Sequence, residues 1–594
     1  MKTLSVRCCL LALIGSLLLV ATGCGSGDEG SGGTGESDPQ AAQSAATSPF
    51  QQTAFRIRAD ASSALNADSG WAADVNGAAT LPVEKPFRIR FEVEAPDEDL
   101  SPTPFQLQVR HGDGPWETVS ARDFPYPSGS TPLVSIVSSP VYADSTATTD
   151  VLDASDAEFG GGAGMSLSAT APAASGSDRQ TEWEWPVVLR RFADGARTTG
   201  NGETFAFRMV DGEGRPVGGG ATPVVTASVP DRLLAGTYPE TPGRLGPWET
   251  DDGSLYFLME PAETFNVLMT VKSEDGGDSW REVDGENRPE TGDLEGFASD
   301  FQDGTIHMLH QIDEGVLYHA FETTDGADAA DTWTVVDDTL ATPGEPLVQV
   351  TTLTARPDGS LVAVYGTPEG IQYSIRSVDG TWGDGVSVPN DTESVLSGPQ
   401  SVLGADGTVH LAYTRQDGTA WYRQIQRDGS LTPARPVTDA VGQTEQDVGS
   451  VLPLVHLAET DVTVIGYRKA DGTLWARRVD ESGSMSNPER VTDRSVVQGA
   501  VDSDQVGADA ISVGSTVHVL FVEDGSGALY HTKSRAPGAW TAPSVQVDTA
   551  DVQWVRGQPL RRGSDGPSVY GYVYDAGSNG GSGMNWYDEV SLTP

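Results

Sequence analysis

One short pattern returns seven times between Asp252 and the C-terminus: a tight turn followed by an alternating apolar strand. It reads Asp252-Gly-Ser-Leu-Tyr256, Asp303-Gly-Thr-Ile-His307, Asp358-Gly-Ser-Leu-Val362 and Asp406-Gly-Thr-Val-His410. Looser copies are Glu459-Thr-Asp-Val-Thr463, Val513-Gly-Ser-Thr-Val517 and Asp565-Gly-Pro-Ser-Val569. The steps are about fifty residues, and a second series, typified by Gly315-Val-Leu-Tyr318 and Gly472-Thr-Leu-Trp475, follows each turn. Within a step, short period-two strands alternate with Gly-rich turns, and no stretch keeps a helical period. Such a unit cannot bury its apolar faces alone and has to stack on copies of itself. Four-stranded antiparallel sheets set radially bury both faces of every sheet and leave only short edges, so the repeat predicts a seven-bladed β-propeller over residues 230–594.

Residues 50–229 lack the repeat. Phe55-Arg-Ile-Arg58, Phe87-Arg-Ile-Arg-Phe-Glu-Val93, Phe105-Gln-Leu-Gln-Val109 and Thr204-Phe-Ala-Phe-Arg-Met-Val210 alternate with period two, as half-buried strands do. Gly160-Gly-Gly-Ala-Gly164 and the stretch 169–177 read as low-complexity breaks between strands. The segment predicts a jelly-roll-like β-sandwich serving as a spacer or accessory binding module, and makes the whole chain all-β.

The first 49 residues carry export signals. Lys2 and Arg7 precede an apolar run from Cys8 to Val20, too short to span a bilayer. Ala21-Thr-Gly-Cys24 resembles the bacterial lipoprotein box, which implies a signal peptide over 1–23 and a lipid on Cys24. Residues 24–49, rich in Gly, Ser and acidic side chains, read as a flexible tether. The protein is therefore expected in the cell envelope, held to a membrane by its N-terminal lipid alone. Cys8 and Cys9 leave with the signal and Cys24 carries the lipid, so no disulfide and no thiolate metal site is available.

The chain holds 37 Lys plus Arg against 85 Asp plus Glu, a net charge of −48. That field repels nucleic acid and anionic membranes. Only five residues are Lys, and Asp (53) exceeds Glu (32), a composition resembling that of proteins from salt-loving organisms. At about 1 M salt the Debye length shrinks to about 3 Å and the self-repulsion is screened. No calcium-loop or His-based ligand spacing is present, so no metal site and no cofactor are expected.

Ser273-Glu-Asp-Gly-Gly-Asp-Ser-Trp280 matches Ser-x-Asp-x-Gly-x-Ser/Thr-Trp at every defined position, with Ser273, Asp275, Gly277, Ser279 and Trp280 in the fixed places. Degenerate versions lie at Thr323–Trp333 and Ser377–Trp382. The motif resembles the Asp box of the sialidase-like, BNR-repeat propellers, where it is structural and peripheral. That resemblance covers roughly the last 60% of the chain. It implies an enzyme holding a substrate carboxylate with Arg residues at the propeller mouth, beside a Tyr–Glu pair and an Asp acid/base. Phe55-Arg56-Ile57-Arg58 is similar to the family's Phe/Tyr-Arg-Ile-Pro signature but has Arg58 in place of Pro and lies in the sandwich, so the family's catalytic residues are not carried over.

From the repeat itself, the mouth is lined by the residues leading into each Asp-Gly turn: Arg244, Trp248, Asp293, Glu295, Gln349, Gln400, Asp447, Asp504, Gln505 and Arg556. Arg244 and Arg556, with Trp248, form a candidate clamp for an acidic sugar, and Glu295 or Asp504 a candidate acid/base. His307, His410 and His518 recur at one repeat position, which favours packing. His310, His319 and Tyr318 suit a polysaccharide lyase. The series Tyr318, Tyr373, Trp421, Trp475, Tyr530, Trp586, followed by Arg376, Arg423, Arg477 or Lys533, suits either a blade core or a lectin with several equivalent sites. The expected partner is a glycan or polysaccharide, recognised or processed, with sialidase-type hydrolysis, lyase action and non-catalytic binding or scaffolding all open. The sequence does not fix the oligomeric state.

Overall fold

A computed structural model describes residues 47–592, except 60–62, 98–99, 123–131, 153, 155–156, 175–178, 194–196, 237–242, 260–267, 284–295, 313–314, 324–332, 345–350, 391–395, 416, 442–452, 498–506, 549–551, 553 and 577–583. The signal, Cys24 and the tether lie outside this set. Among the described residues every regular element is a β-strand and none is a helix.

Two large sheets and a two-stranded one, Phe192–Ala193 with Arg197–Thr198, make up the described N-terminal region. One large sheet centres on Gln51–Arg58, Phe87–Glu94 and Gln180–Leu189; the other on Ala79–Pro82, Phe105–His111, Thr204–Asp211 and Val224–Ser228. Their facing side chains share one apolar core, in which Phe50 meets Phe105 edge-on at 5.2 Å, Phe87 meets Phe207 at 6.2 Å and Phe105 meets Trp183 at 5.6 Å. The period-two pattern predicts half-buried strands here, but Gln180–Leu189 is buried on both faces, and Phe87–Glu94 at all positions except Glu94. The polar face is covered by the segments around 63–69 and 142–152, whose carbonyls accept from Arg58, Arg88 and Arg90. The stretch expected to be a break, Gly160–Gly164, instead lies in a strand, Phe159–Gly164, that pairs in parallel with Gln180–Glu184. Glycine is what permits it: a Cβ on Gly162 (φ +128°) would lie 1.9 Å from the Glu182 carbonyl oxygen.

Seven four-stranded antiparallel sheets follow. Sheet 1 covers 248–282, sheet 2 covers 297–341, sheet 3 covers 352–387, sheet 4 covers 396–438, sheet 5 covers 454–495 and sheet 6 covers 508–547. Sheet 7 takes its first three strands from 555–591 and its fourth from Leu233–Ala235, so a strand from the start of the repeat region completes its last sheet. The first strands of sheets 2 to 7 touch in order, and Val555–Leu560 of sheet 7 returns to Trp248–Glu249 of sheet 1. Sheets 1 and 2 are joined where Ser299 donates from both N and Oγ to the Arg244 carbonyl, at 2.7 and 2.8 Å. The apolar core of the N-terminal region runs on without interruption into sheet 1 through Leu255, Phe257, Met269 and Trp280, and residues 47–594 form one compact unit.

The Asp-Gly turns recur for a local reason. Asp252, Asp358 and Asp406 each accept the backbone N–H two residues on (2.9, 3.1 and 2.8 Å), and Gly253, Gly359 and Gly407 sit at φ +86° to +88°, open at low cost only to glycine.

The Ser273–Trp280 segment forms the hairpin between the third and fourth strands of sheet 1. Asp275 Oδ1 accepts from Ser273 Oγ and Ser279 N, both at 2.8 Å, and Trp280 Nε1 donates to the Gly277 carbonyl at 3.0 Å. Burial alone would raise the Asp275 pKa, but these donors together hold it below the usual carboxylate range. The buried indole meets Tyr587 of the preceding sheet edge-on at 5.6 Å. Trp382 stands in the same way against Tyr318 at 5.5 Å. At the corresponding hairpins of later sheets an isolated bridge joins Arg376–Trp382, Ile425–Leu431, Val479–Met485 and Ser534–Trp540. The geometry thus persists where Leu431 and Met485 replace the tryptophan and the motif is no longer readable.

Candidate functional site

The first strands and the segment leading into sheet 1 carry the side chains that converge at the centre of the cycle. Arg244, four residues ahead of sheet 1, is half-buried, and its Nη2 donates to the Leu454 carbonyl of sheet 5 at 3.3 Å, so the guanidinium reaches across to a non-adjacent sheet. Arg556 is 3% exposed; its Nε donates to the Gly243 carbonyl at 3.1 Å and its Nη1 to its own Val555 carbonyl at 2.7 Å, over the Trp554 ring. Burial lowers its pKa to about 10, with the Asp509 charge opposing. Arg556 ties sheet 7 to sheet 1. Trp248 is also packed, with Nε1 donating to Ser299 Oγ at 3.2 Å and its ring stacked on Phe301 at 6.2 Å. Of the predicted clamp, Arg244 alone keeps appreciable solvent access. Glu295 and Asp504, with Asp293, Gln349, Asp447 and Gln505, lie outside the described residues. Gln400 is buried and donates to the Pro399 carbonyl at 2.9 Å.

Two carboxylates that the sequence reading passed over, Asp300 and Asp509, stand on the first strands of sheets 2 and 6. Asp300 Oδ2 accepts the Ala355 amide of sheet 3 at 2.8 Å, and its Oδ1 the Phe301 amide at 2.9 Å. Asp509 Oδ2 accepts the Gly557 amide of sheet 7 at 2.7 Å and the Tyr570 hydroxyl at 3.0 Å. Each is half-buried, and loss of solvation raises its pKa. The charge of Arg244 opposes that rise in both, and Arg556 does so more strongly at Asp509. Their signal was faint: Phe297–Gln302 and Ala508–Val513 each place one Asp mid-strand, where alternation alone gives no direction. The arrangement sets one half-buried guanidinium near two carboxyl groups whose pKa burial raises, a pairing that general-acid chemistry can use.

The recurrent histidines pair diagonally between second and third strands. His307 Nδ1 lies 2.7 Å from the Tyr318 hydroxyl, His410 Nδ1 2.5 Å from that of Tyr422, and His518 Nδ1 3.1 Å from His531 Nε2. Burial lowers His307, His410 and His531 to about 4 and His319 and His518 to about 3, while Tyr318 rises to about 12. His310 and His319 are fully buried and Tyr318 is 1% exposed, so this trio faces packed protein. In the aromatic series, Tyr318, Tyr373 and Tyr530 are buried, whereas Trp421 and Trp475 are half-buried. The two tryptophans are built alike: each indole donates to a Thr two residues back at 2.8 Å, and a cation covers its face, Arg415 at 4.2 Å and Lys469 at 3.6 Å. Arg423 and Arg477 instead donate to backbone carbonyls of the preceding sheet, at Pro389 and Val437.

A cleft of about 660 Å³ opens away from the axis, between the N-terminal region and sheet 1. Arg191, Lys272, Glu274, Asp278, Ser279 and Arg281 line it, so the Ser273–Trp280 hairpin forms part of its wall. Arg191 donates to the Trp280 carbonyl across this boundary.

No protein-family model matches the chain, and no curated protein does so by sequence. Among solved structures, an ulvan lyase described as a new family of polysaccharide lyase is similar over 61% of this chain and 97% of its own, with 10% identity and a TM-score of 0.42. A fucose-specific lectin from Aleuria aurantia is similar over 54% and 99%, with 12% identity and a TM-score of 0.35. The intramolecular trans-sialidase from Ruminococcus gnavus is similar over 59% and 94%, with 10% identity and a TM-score of 0.34. All three act on or bind carbohydrate, and at these scores none locates a site or a substrate in this chain.

Proposed function

We propose that the protein is an exported, lipid-anchored member of the sialidase-like propellers, with a jelly-roll-like sandwich over 50–229 and a seven-bladed propeller over 230–594. It recognises or processes complex acidic glycans at the axial mouth. Cys24 carries the lipid and Asp275 anchors an Asp box. The observation that carries the functional reading is Arg244, a half-buried guanidinium at the centre of the ring within electrostatic reach of Asp300 and Asp509. Sialidase-type hydrolysis is the chemistry this group would serve, with Arg244 holding the sugar carboxylate and one of the two desolvated carboxyls donating the proton. Lectin-like binding is the second reading, favoured by the matched Trp421–Arg415 and Trp475–Lys469 units on successive sheets. Action as a polysaccharide lyase is the remaining alternative.

The test uses the mature chain, since the shared apolar core ties the repeat region to what precedes it. Binding to sialosides and uronate polymers is measured at high salt, with product analysis of every hit. Saturable binding of an acidic glycan should weaken at least about tenfold in Arg244→Ala, with thermal stability preserved. Arg556→Ala should instead destabilise the fold by about 2–3 kcal/mol, because it strips a buried guanidinium from its carbonyls. Turnover would mark an enzyme, and binding without products a lectin. Unchanged affinity in Arg244→Ala, or no glycan bound at all, would remove the axial reading.

A further inference from the structure

Sheets 5 and 6 enclose a pocket of about 330 Å³ where the turns after their first strands meet the hairpins after their third. Leu457, Val462 and Met485 give it an apolar side, and Arg478, Asp480 and Arg535 supply its charged groups. Small-molecule sites begin at about 300 Å³, so this one has room for a ligand of one or two sugar rings. Two guanidiniums against one carboxylate make the lining net positive, in a chain whose own net charge is −48.

Arg478 is 7% exposed and held from behind. Its Nε donates to Glu489 Oε1 and its Nη2 to Ser534 Oγ of sheet 6, both at 3.1 Å. Glu489 also accepts the Gly538 amide of sheet 6, which fixes the pair across the junction. Nη1 has no acceptor among the described residues and is not sealed from solvent, so this buried side chain keeps one free donor nitrogen at the pocket it lines. Arg535 is exposed. Its Nε donates to Thr516 Oγ1 at 3.3 Å, and among the described residues nothing accepts from its two Nη groups. Asp480 Oδ1 takes the Ser482 hydroxyl at 2.6 Å and the Ser484 amide at 2.8 Å, which leaves Oδ2 as an acceptor.

The arrangement is not a requirement of the repeat. Registered on Trp421, Trp475 and Tyr530, the places of Arg478 and Glu489 hold Gln424 and Arg435 in sheet 4, and Lys533 and Ser544 in sheet 6. Packing of these sheets therefore does without the Arg–Glu pair, and of the three only sheet 5 carries it.

We infer that this pocket binds a carboxylate-bearing sugar residue, with the carboxylate on Arg478 Nη1 and the Arg535 guanidinium, a ring hydroxyl on Asp480, and the ring's apolar face against Leu457, Val462 and Met485. No residue of the axial group lines it, so it is a second site that stands or falls apart from the reading based on Arg244.

The test is calorimetric titration of short oligogalacturonate into the mature Arg244→Ala chain, a background in which the axial guanidinium is gone. One saturable site should remain. Adding Arg535→Gln should weaken it by about tenfold or more with the melting temperature unchanged, since that side chain is exposed and makes one hydrogen bond. Adding Arg478→Lys keeps a charge beside Glu489 but removes the free Nη1, and should weaken binding as much. Neutral oligogalactose should bind at least about tenfold more weakly than the uronate. The absence of a saturable site in this background, or unchanged affinity after Arg535→Gln, overturns the inference and leaves the axial reading to the titration of the parent chain. Equal binding of the neutral oligomer, or displacement of the uronate by equimolar inorganic sulfate, overturns the assignment to a carboxylated sugar.

Discussion

The N-terminal sheet and the seven-sheet ring both bury charge, and they compensate it differently. On the N-terminal sheet, Arg58, Arg88, Arg90, Glu182 and Glu184 stand side by side on one face and satisfy one another, with covering carbonyls taking the remaining donors. In the ring, polar groups are dispersed over the junctions. Asp300 and Asp509 each meet a backbone amide of the next sheet, Arg556 meets a carbonyl of sheet 1, and Thr352 and Thr354 meet Ser401. A clustered network fails as a unit, whereas a dispersed one loses a single junction at a time.

The sharpest way to break this contrast is Glu184→Gln. The carboxylate takes Arg88 at 2.7 Å, Arg90 at 3.3 Å and Arg58 at 3.4 Å, all with side chains at most 2% exposed. Its neutralisation leaves Arg58 and Arg88 short of a counter-charge in a desolvated layer and Arg90 with Glu182 alone, which should cost about 3–5 kcal/mol. Chemical denaturation followed by tryptophan fluorescence would show it, because Trp183 and Trp185 lie on the same strand. A loss below about 1 kcal/mol would mean that water reaches the face and screens it.

The ring should respond to acid instead. His307, His410 and His531 titrate at about 4 and His319 and His518 at about 3 in the folded chain, because burial disfavours their charged forms. Unfolded histidine titrates near 6.5. Between about pH 6.5 and pH 4 the unfolded state therefore binds more protons, and stability falls as the pH drops. Asp300 and Asp509 act in the opposite sense: their raised values favour the folded state most below the ordinary carboxylate range, and that contribution fades as the pH rises. With His456, which burial lowers in the same way, six histidines outweigh two carboxyls, so the melting temperature should decline from pH 7 to pH 4. His410→Gln should flatten that slope by roughly a sixth. A melting temperature level across this interval would contradict the burial of these rings.

How far the sequence could be read follows from the same contrast. The repeat is visible because Asp252, Asp358 and Asp406 act locally, each on an amide two residues away. The full Ser273–Trp280 match is visible for the same reason, and its copies at Leu431 and Met485 are not, because hairpin geometry tolerates other apolar wedges. Burial of the second face of Phe87–Glu94 could not be read from alternation, since Arg and Glu placed every second residue look alike under a loop and in water. Asp300 and Asp509 escaped because what defines them is the backbone of the next sheet, about fifty residues on. Arg244 was legible as polar and axial, but its reach to Leu454 was not.

The smallest effect separates packing from recognition at the matched tryptophans. The Lys469 ammonium lies 3.6 Å from the ring centroid of half-buried Trp475 and is itself half-buried, whereas the Arg415 guanidinium over half-buried Trp421 is buried, at 4% exposure. A solvent-facing cation–π contact contributes about 0.5–1 kcal/mol, so Lys469→Ala should lower stability by no more than that. The same change uncovers one face of the indole. If these units are sugar platforms, Lys469→Ala should alter glycan affinity by more than its stability cost accounts for, and Arg415→Ala should do the same on the neighbouring sheet. If they are only rim packing, both variants should bind as the parent does, and recognition would rest elsewhere.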